Sequence, residues 1–148
     1  MLQRIQTLFF ATALICIALP LFGFTLFTLT TNQIEISVDA FRVNGANYSQ
    51  NHFFWLILVF TMLLLVGTLF SYKNRKTQMK LGWASLIMLF VLTAWIMVSI
   101  FFNPAYANTE KSIGFGFVAL IVALPLIYIG IRGVKKDQAL IDSLNRLR

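Results

Sequence analysis

The chain has 148 residues, 59% of them hydrophobic, and a formal net charge of +7. Little sequence is left for a soluble globular domain: the longest stretch between apolar runs, 31–52, is too short to bury a core of its own. The basic residues sit beside the apolar runs and form no separate basic domain, which argues against nucleic acid as a partner.

Four stretches, 5–30, 53–72, 81–102 and 113–131, contain no Asp, Glu, Lys, Arg or His. A helix rising ~1.5 Å per residue needs about 20 apolar residues to cross ~30 Å of hydrocarbon. The pattern predicts an all-α membrane protein: one membrane domain, a four-transmembrane-helix bundle with a small outer β-hairpin over 33–50 and a short amphipathic helix in the tail 132–148.

Arg4 precedes the first run as in a secretory signal. The uncharged stretch is far longer than the apolar region of such a signal, and no clear small-residue cleavage site follows it, so an uncleaved anchor is expected. Cys16 lies alone inside this span; it has no partner for a disulfide and no second ligand for a metal, so it reads as a small apolar residue. Pro20, with Gly23 after it, predicts a kink, because proline lacks an N–H and clashes with the carbonyl four residues back.

In the first outer loop Ile34, Ile36, Val38 and Ala40 alternate with Glu35, Ser37 and Asp39, the period of a half-buried strand. Asn44-Gly45 is a strong hairpin-turn signal, with Ala46 to Gln50 as the second arm. The hairpin is expected to lean on the bundle, as a lid or as a binding surface. His52, the sole histidine, stands at the outer edge of span two and reads as structural.

Spans two and three are expected to form a helical hairpin across the basic loop 73–80. Trp83 and Tyr72 fit an inner interface belt, Tyr106 and Trp55 an outer one, and Trp95 is expected to pack inside the bundle. Gly67 and Ser71, and Ala119 and Ala123 after Gly114 and Gly116, have the spacing that lets helix backbones approach. Asn103-Pro104 ends span three. Pro125 is a second candidate kink. Beyond Gly130 and Gly133, Leu140, Leu144 and Leu147 recur at helical spacing with Ile141 beside them, among Lys135, Lys136, Asp137, Asp142 and Arg146.

Charge is sorted by side. Arg4, the 73–80 connection and the tail carry ten basic and two acidic residues, whereas the two other loops carry Arg42 and Lys111 against Glu35, Asp39 and Glu110. Basic residues in short loops stay cytoplasmic. Both termini and the middle loop are therefore expected inside.

The opening Met1-Leu2-Gln3-Arg4-Ile5-Gln6-Thr7-Leu8-Phe9 resembles that of the DUF4293 family, uncharacterised four-span bacterial membrane proteins of Bacteroidetes. The ending is similar to the same family in Lys135-Lys136-Asp137, Leu140-Ile141, Ser143 and Arg146-Leu147-Arg148. Leu2 and Asn145 depart from its commoner Ile and Asp. The resemblance implies the bacterial inner membrane. It implies no substrate, cofactor or catalytic residue.

By the charge argument both signature ends are cytoplasmic. Gln3, Arg4, Gln6, Lys135, Lys136, Asp137, Arg146 and Arg148 are candidates for one cytoplasmic patch, in which Arg4 pairs with Asp137 or Asp142. The spans hold no ionisable group of the kind that marks ion and proton paths. No Ser-His-Asp set, metal cluster or phosphate loop stands out. The reading is a non-catalytic accessory or scaffold subunit whose partners are membrane lipids and another membrane protein or a second copy. The alternative is an oligomeric transporter or channel for a neutral or lipidic solute, with Thr12, Thr25, Thr61, Thr68, Ser85, Thr93 and Ser99 along its path. An enzyme built on Glu35, Asp39, His52 and Glu110 ranks last.

Overall fold

The computed structural model describes residues 2–31, 34–40, 43–44, 54–102 and 109–146. These form helix α1 (Leu2–Ala18), strands β1 (Phe27–Thr31), β2 (Ile34–Val38) and β3 (Val43–Asn44), helices α2 (Phe54–Phe70) and α3 (Arg75–Phe101), strand β4 (Glu110–Ile113) and helix α4 (Phe115–Arg146). The chain is mostly helical. Helix α1 packs on α2 and α4, and α3 on the same two, so the four helices form a ring. The segments Ile5–Phe22, Arg75–Phe101 and Phe115–Ile141 are long and apolar enough to cross a membrane; α2, with 17 residues, is shorter.

The first apolar stretch, 5–30, is not helical throughout. Helix α1 stops at Ala18, and a 3-10 turn, Leu19–Phe22, holds Pro20 in its first positions. Gly23 closes the turn at φ 92°, with its N–H directed to the Leu19 and Pro20 carbonyls. Only glycine takes this left-handed conformation without steric cost. Pro20 thus lies in the turn that ends the helix, where a kink within a span was expected. The uncharged run beyond it is strand: Phe27 and Leu29 are buried, and Thr28 and Thr30 alternate with them. The absence of charge over 5–30 conceals this change from helical to strand period.

Strands β1 and β2 pair antiparallel with Thr31 opposite Ile34, and β2 pairs antiparallel with β3 inside the segment expected as a hairpin. Asn44, expected in the turn, pairs with Ser37 as part of β3; residues 45–53, which hold the expected second arm and His52, lie outside the described residues. The sheet order is β3-β2-β1-β4. Strand β4 comes from the connection between α3 and α4 and pairs with β1, Phe27 opposite Ile113. What was expected as a hairpin is therefore a four-stranded sheet, because β1 offers hydrogen-bonding groups on both edges.

The sheet closes the end of the bundle where α1 and α3 finish and α4 begins. The Phe27 ring packs on that of Phe117, with centroids 4.7 Å apart. Lys111 reaches the Phe101 carbonyl at 3.5 Å and lies over the Phe101 ring. Gly116 donates its N–H to the Thr25 carbonyl at 2.9 Å. A Cβ on Gly116 would stand 2.6 Å from the Phe24 carbonyl oxygen, so only glycine permits the approach.

At the other end the connection between α2 and α3 is a 3-10 turn, Ser71–Lys73, and Asn74 caps α3 by accepting the Thr77 N–H. The expected loop 73–80 is mostly helix, because residues after this cap are good helix formers. Helix α4 runs unbroken for 32 residues through Pro125, Gly130 and Gly133. The tail is its last turns and not a separate amphipathic helix. Trp95 is 63% exposed on the outside of α3, where burial within the bundle was expected.

The core centres on Phe10, which is fully buried. A Cβ on Gly130 would come within 2.9 Å of its ring, whereas one on Gly82 would meet Ile131 Cγ1 at 2.9 Å. The ring occupies the space that Gly130 leaves open, and Ile131 the space at Gly82. Ala13 and Ile17 continue the same face of α1, and Ala123 and Ile127 the facing side of α4.

Substitutions at the two kinds of glycine should differ. Gly116→Ala drives a Cβ into backbone that cannot yield cheaply and should cost about 1–3 kcal/mol, read as a lower melting temperature in detergent. Gly67→Ala meets only Leu81 Cδ1 at 3.5 Å, an ordinary contact, and should leave the melting temperature unchanged or raised.

Candidate functional site

The buried face of α1 reads Gln6, Phe10, Ala13 and Ile17, at i, i+4, i+7 and i+11. Three are apolar and the first is an amide. Gln6 is 7% exposed and donates from Nε2 to Oδ2 of Asp137, itself 8% exposed, at 2.5 Å. Residues 131 positions apart thus join the first and last helices. Gly133, one turn before Asp137, allows the approach: a Cβ there would meet Gln6 Cγ at 2.8 Å. Arg75, the first residue of α3, donates from Nη1 to the Asp137 carbonyl at 3.0 Å. Three helices therefore converge on Asp137.

Beside this cluster lies an open cavity of about 1160 Å³. Ile5 and Phe9 of α1, Met79 and Trp83 of α3, and α4 from Tyr128 to Ala139 line it. Trp83 and Tyr128 meet edge to face, with centroids 6.4 Å apart. Arg132, Lys135 and Lys136 are exposed and line the same cavity. Apolar and aromatic side chains thus occupy its part nearer the middle of α4, and cations the part nearer the terminus.

Of the eight residues proposed for a patch, the structure joins Gln6 directly to Asp137 and sets Lys135 and Lys136 on the adjoining cavity wall. Gln3 and Arg4 belong to α1 and Arg146 to α4, with their side chains outside the described residues, as is Arg148 altogether. The described partner of the Asp137 carboxylate is Gln6, which shares a face with Phe10, the face pressed on α4. The pairing expected of Arg4 with Asp137 or Asp142 rests on side chains outside the described residues. Arg75 was counted only as a loop charge. The sequence signal for it was the Asn74 cap, which makes it the first residue of a helix and aims its side chain back past the helix end.

Five of the seven hydroxyls considered for a solute path bond to carbonyls of their own helices. Thr61 donates to the Ile57 carbonyl, Thr68 to Leu65, Ser85 to Gly82, Thr93 to Phe90 and Thr12 to Leu8. Among the described residues no group of three His, Cys, Asp or Glu side chains stands close enough to hold a metal. The interactions this end of the bundle offers are hydrogen bonding and positive charge.

Three helices long and apolar enough to cross a membrane are the plan of a membrane protein. The chain belongs to the DUF4293 family, a domain of unknown function, which matches residues 2–147. No curated protein matches it.

Asp137→Ala should leave the buried Gln6 amide without an acceptor and lower stability by about 1–3 kcal/mol. Replacing both partners, Gln6→Leu with Asp137→Leu, should recover most of that loss, because no polar group then remains unpaired. Thermal unfolding in detergent of the single, the double and the native chain checks both outcomes.

Proposed function

We propose that the chain crosses the bacterial cytoplasmic membrane four times, with both termini in the cytoplasm, and serves as a non-catalytic accessory or scaffold subunit. Large apolar side chains on the outside of all four helices support the embedding, among them Leu8, Phe60, Phe90, Trp95 and Val122. Water would not tolerate so continuous an apolar surface on a monomer. Helix α2 has 17 residues, at the lower end of the roughly 17–25 that span a bilayer, and it packs against α1 and the longer α3. The ends of α1 and α4 and the α2–α3 turn share one end of the bundle, and the basic residues concentrate there, as the charge rule requires of a cytoplasmic face.

The observation that favours a scaffold over a conduit is the state of the interior. Buried Thr61, Thr68, Ser85 and Thr93 bond to carbonyls of their own helices, and the space between helices is filled by Phe10, Leu58, Leu89, Ile96 and Leu120. A solute path needs polar groups turned toward a lumen. A subunit that holds a partner needs a rigid body and exposed ends, and the partner surface is then the polar end of the bundle or the sheet.

Two measurements test this reading. In a Cys16→Ala background, Lys76→Cys should resist an impermeant maleimide on intact cells and react once the membrane is opened; labelling on intact cells overturns the orientation. A tagged copy extracted from native membranes should co-purify stoichiometrically with a larger assembly. Recovery as a homodimer with a water-filled centre overturns the accessory role in favour of transport.

A further inference from the structure

The cavity along α4 joins two surfaces of opposite character. Tyr128, Arg132, Lys135 and Ala139 fall at i, i+4, i+7 and i+11, one strip of a helix, and Lys136 lies beside it. Going from Tyr128 to Lys135 the strip changes from aromatic to cationic within about 10 Å. On the aromatic side Ile5, Trp83, Tyr128 and Ile129 are all substantially exposed. The Trp83–Tyr128 pair has the amphipathic character of residues that sit at headgroup depth. The acid of the lining, Asp137, has its carboxylate engaged by Gln6, behind the cationic strip. At about 1160 Å³ the space exceeds the roughly 300–1,000 Å³ usual for small-molecule pockets, and it is open on one side to the surroundings.

We propose that this cavity is a binding site for one anionic phospholipid, such as phosphatidylglycerol, whose phosphate lies among Arg132, Lys135 and Lys136 and whose acyl chain runs over Ile129 and the Trp83–Tyr128 pair. Charge complementarity selects the head: three cations face one anion at a surface where each Lys or Arg adds to the attraction. The apolar wall selects the tail, since at that depth hydrocarbon is what touches it. Arginine offers the phosphate a fork of donors, and the lysines add point charge. The site rests on the membrane-spanning reading given above.

The test uses the full-length protein in vesicles of phosphatidylcholine containing a rising fraction of phosphatidylglycerol brominated on its acyl chains, which quenches nearby tryptophan. With Trp55→Phe and Trp95→Phe, Trp83 is the remaining tryptophan. Its quenching should reach half its maximum at a phosphatidylglycerol fraction at least about tenfold below that of a chain without preference. Arg132→Gln with Lys135→Gln should abolish the preference, whereas Lys76→Gln with Lys80→Gln, which removes the same charge from α3, should retain it. Quenching that follows the bulk lipid fraction in the native chain overturns the site, as does equal loss in both charge pairs. A companion variant keeping only Trp95 separates this from the embedding: Trp95 quenched by brominated phosphatidylcholine, with no lipid preference at Trp83, removes the site alone, and Trp95 left unquenched removes the embedding.

Discussion

The packing of one ring, Phe10, against a helix that carries no side chain where it lands sets the geometry of this bundle. Gly130 supplies the space, and a Cβ there would come within 2.9 Å of the ring. In an apolar environment helices gain nothing from hiding hydrocarbon from water, so close van der Waals contact and hydrogen bonds must hold them together. A large ring against glycine gives more such contact than two medium side chains that keep the backbones apart. Because α1 is rigid, fixing Phe10 also fixes Gln6 one turn below it and Ala13 and Ile17 above.

The polar cluster follows from that registration. With Phe10 at Gly130, Gln6 arrives beside Gly133 and Asp137, and its amide finds a carboxylate oxygen at 2.5 Å. Apolar packing has little direction and tolerates slippage, whereas a buried hydrogen bond is lost if one helix turns by a fraction of its circumference. Arg75 adds the third helix through a backbone carbonyl. The same arrangement leaves Arg132, Lys135 and Lys136 of α4 exposed, on the wall of the cavity. One helix thus carries a closed polar contact on one face and an open cationic strip on another.

At the opposite end, the sheet is assembled from distant parts of the chain. Strand β1 pairs with β2 close in sequence and with β4 from beyond α3. Gly116 then brings the start of α4 against the backbone at Phe24 and Thr25, so the last helix is located by β1 at one end and by Gln6 at the other. The helices have little freedom to slide between these two attachments.

Much of this plan was legible in the sequence. Charge-free runs marked the helices, since one ionisable group in hydrocarbon is costly. The alternation Ile34, Ile36, Val38 marked a strand that exists as β2, and the two ends of the chain carried the family signature over residues that lie near one another. Local signals failed where one residue type serves two structures. Uncharged residues 27–31 fit a span as well as a strand, and β4 became visible as a strand only through its pairing with β1. The tail beyond Gly130 and Gly133 read as a short helix of its own, yet both glycines are packing positions inside one continuous helix. The sequence by itself determined which segments avoid water and where charge collects, because those are properties of each residue's own hydration. The tertiary structure alone decided which partner Asp137 takes, where α1 ends its role as a helix, and which face of α4 remains open, because each depends on a surface supplied by residues far away in the chain.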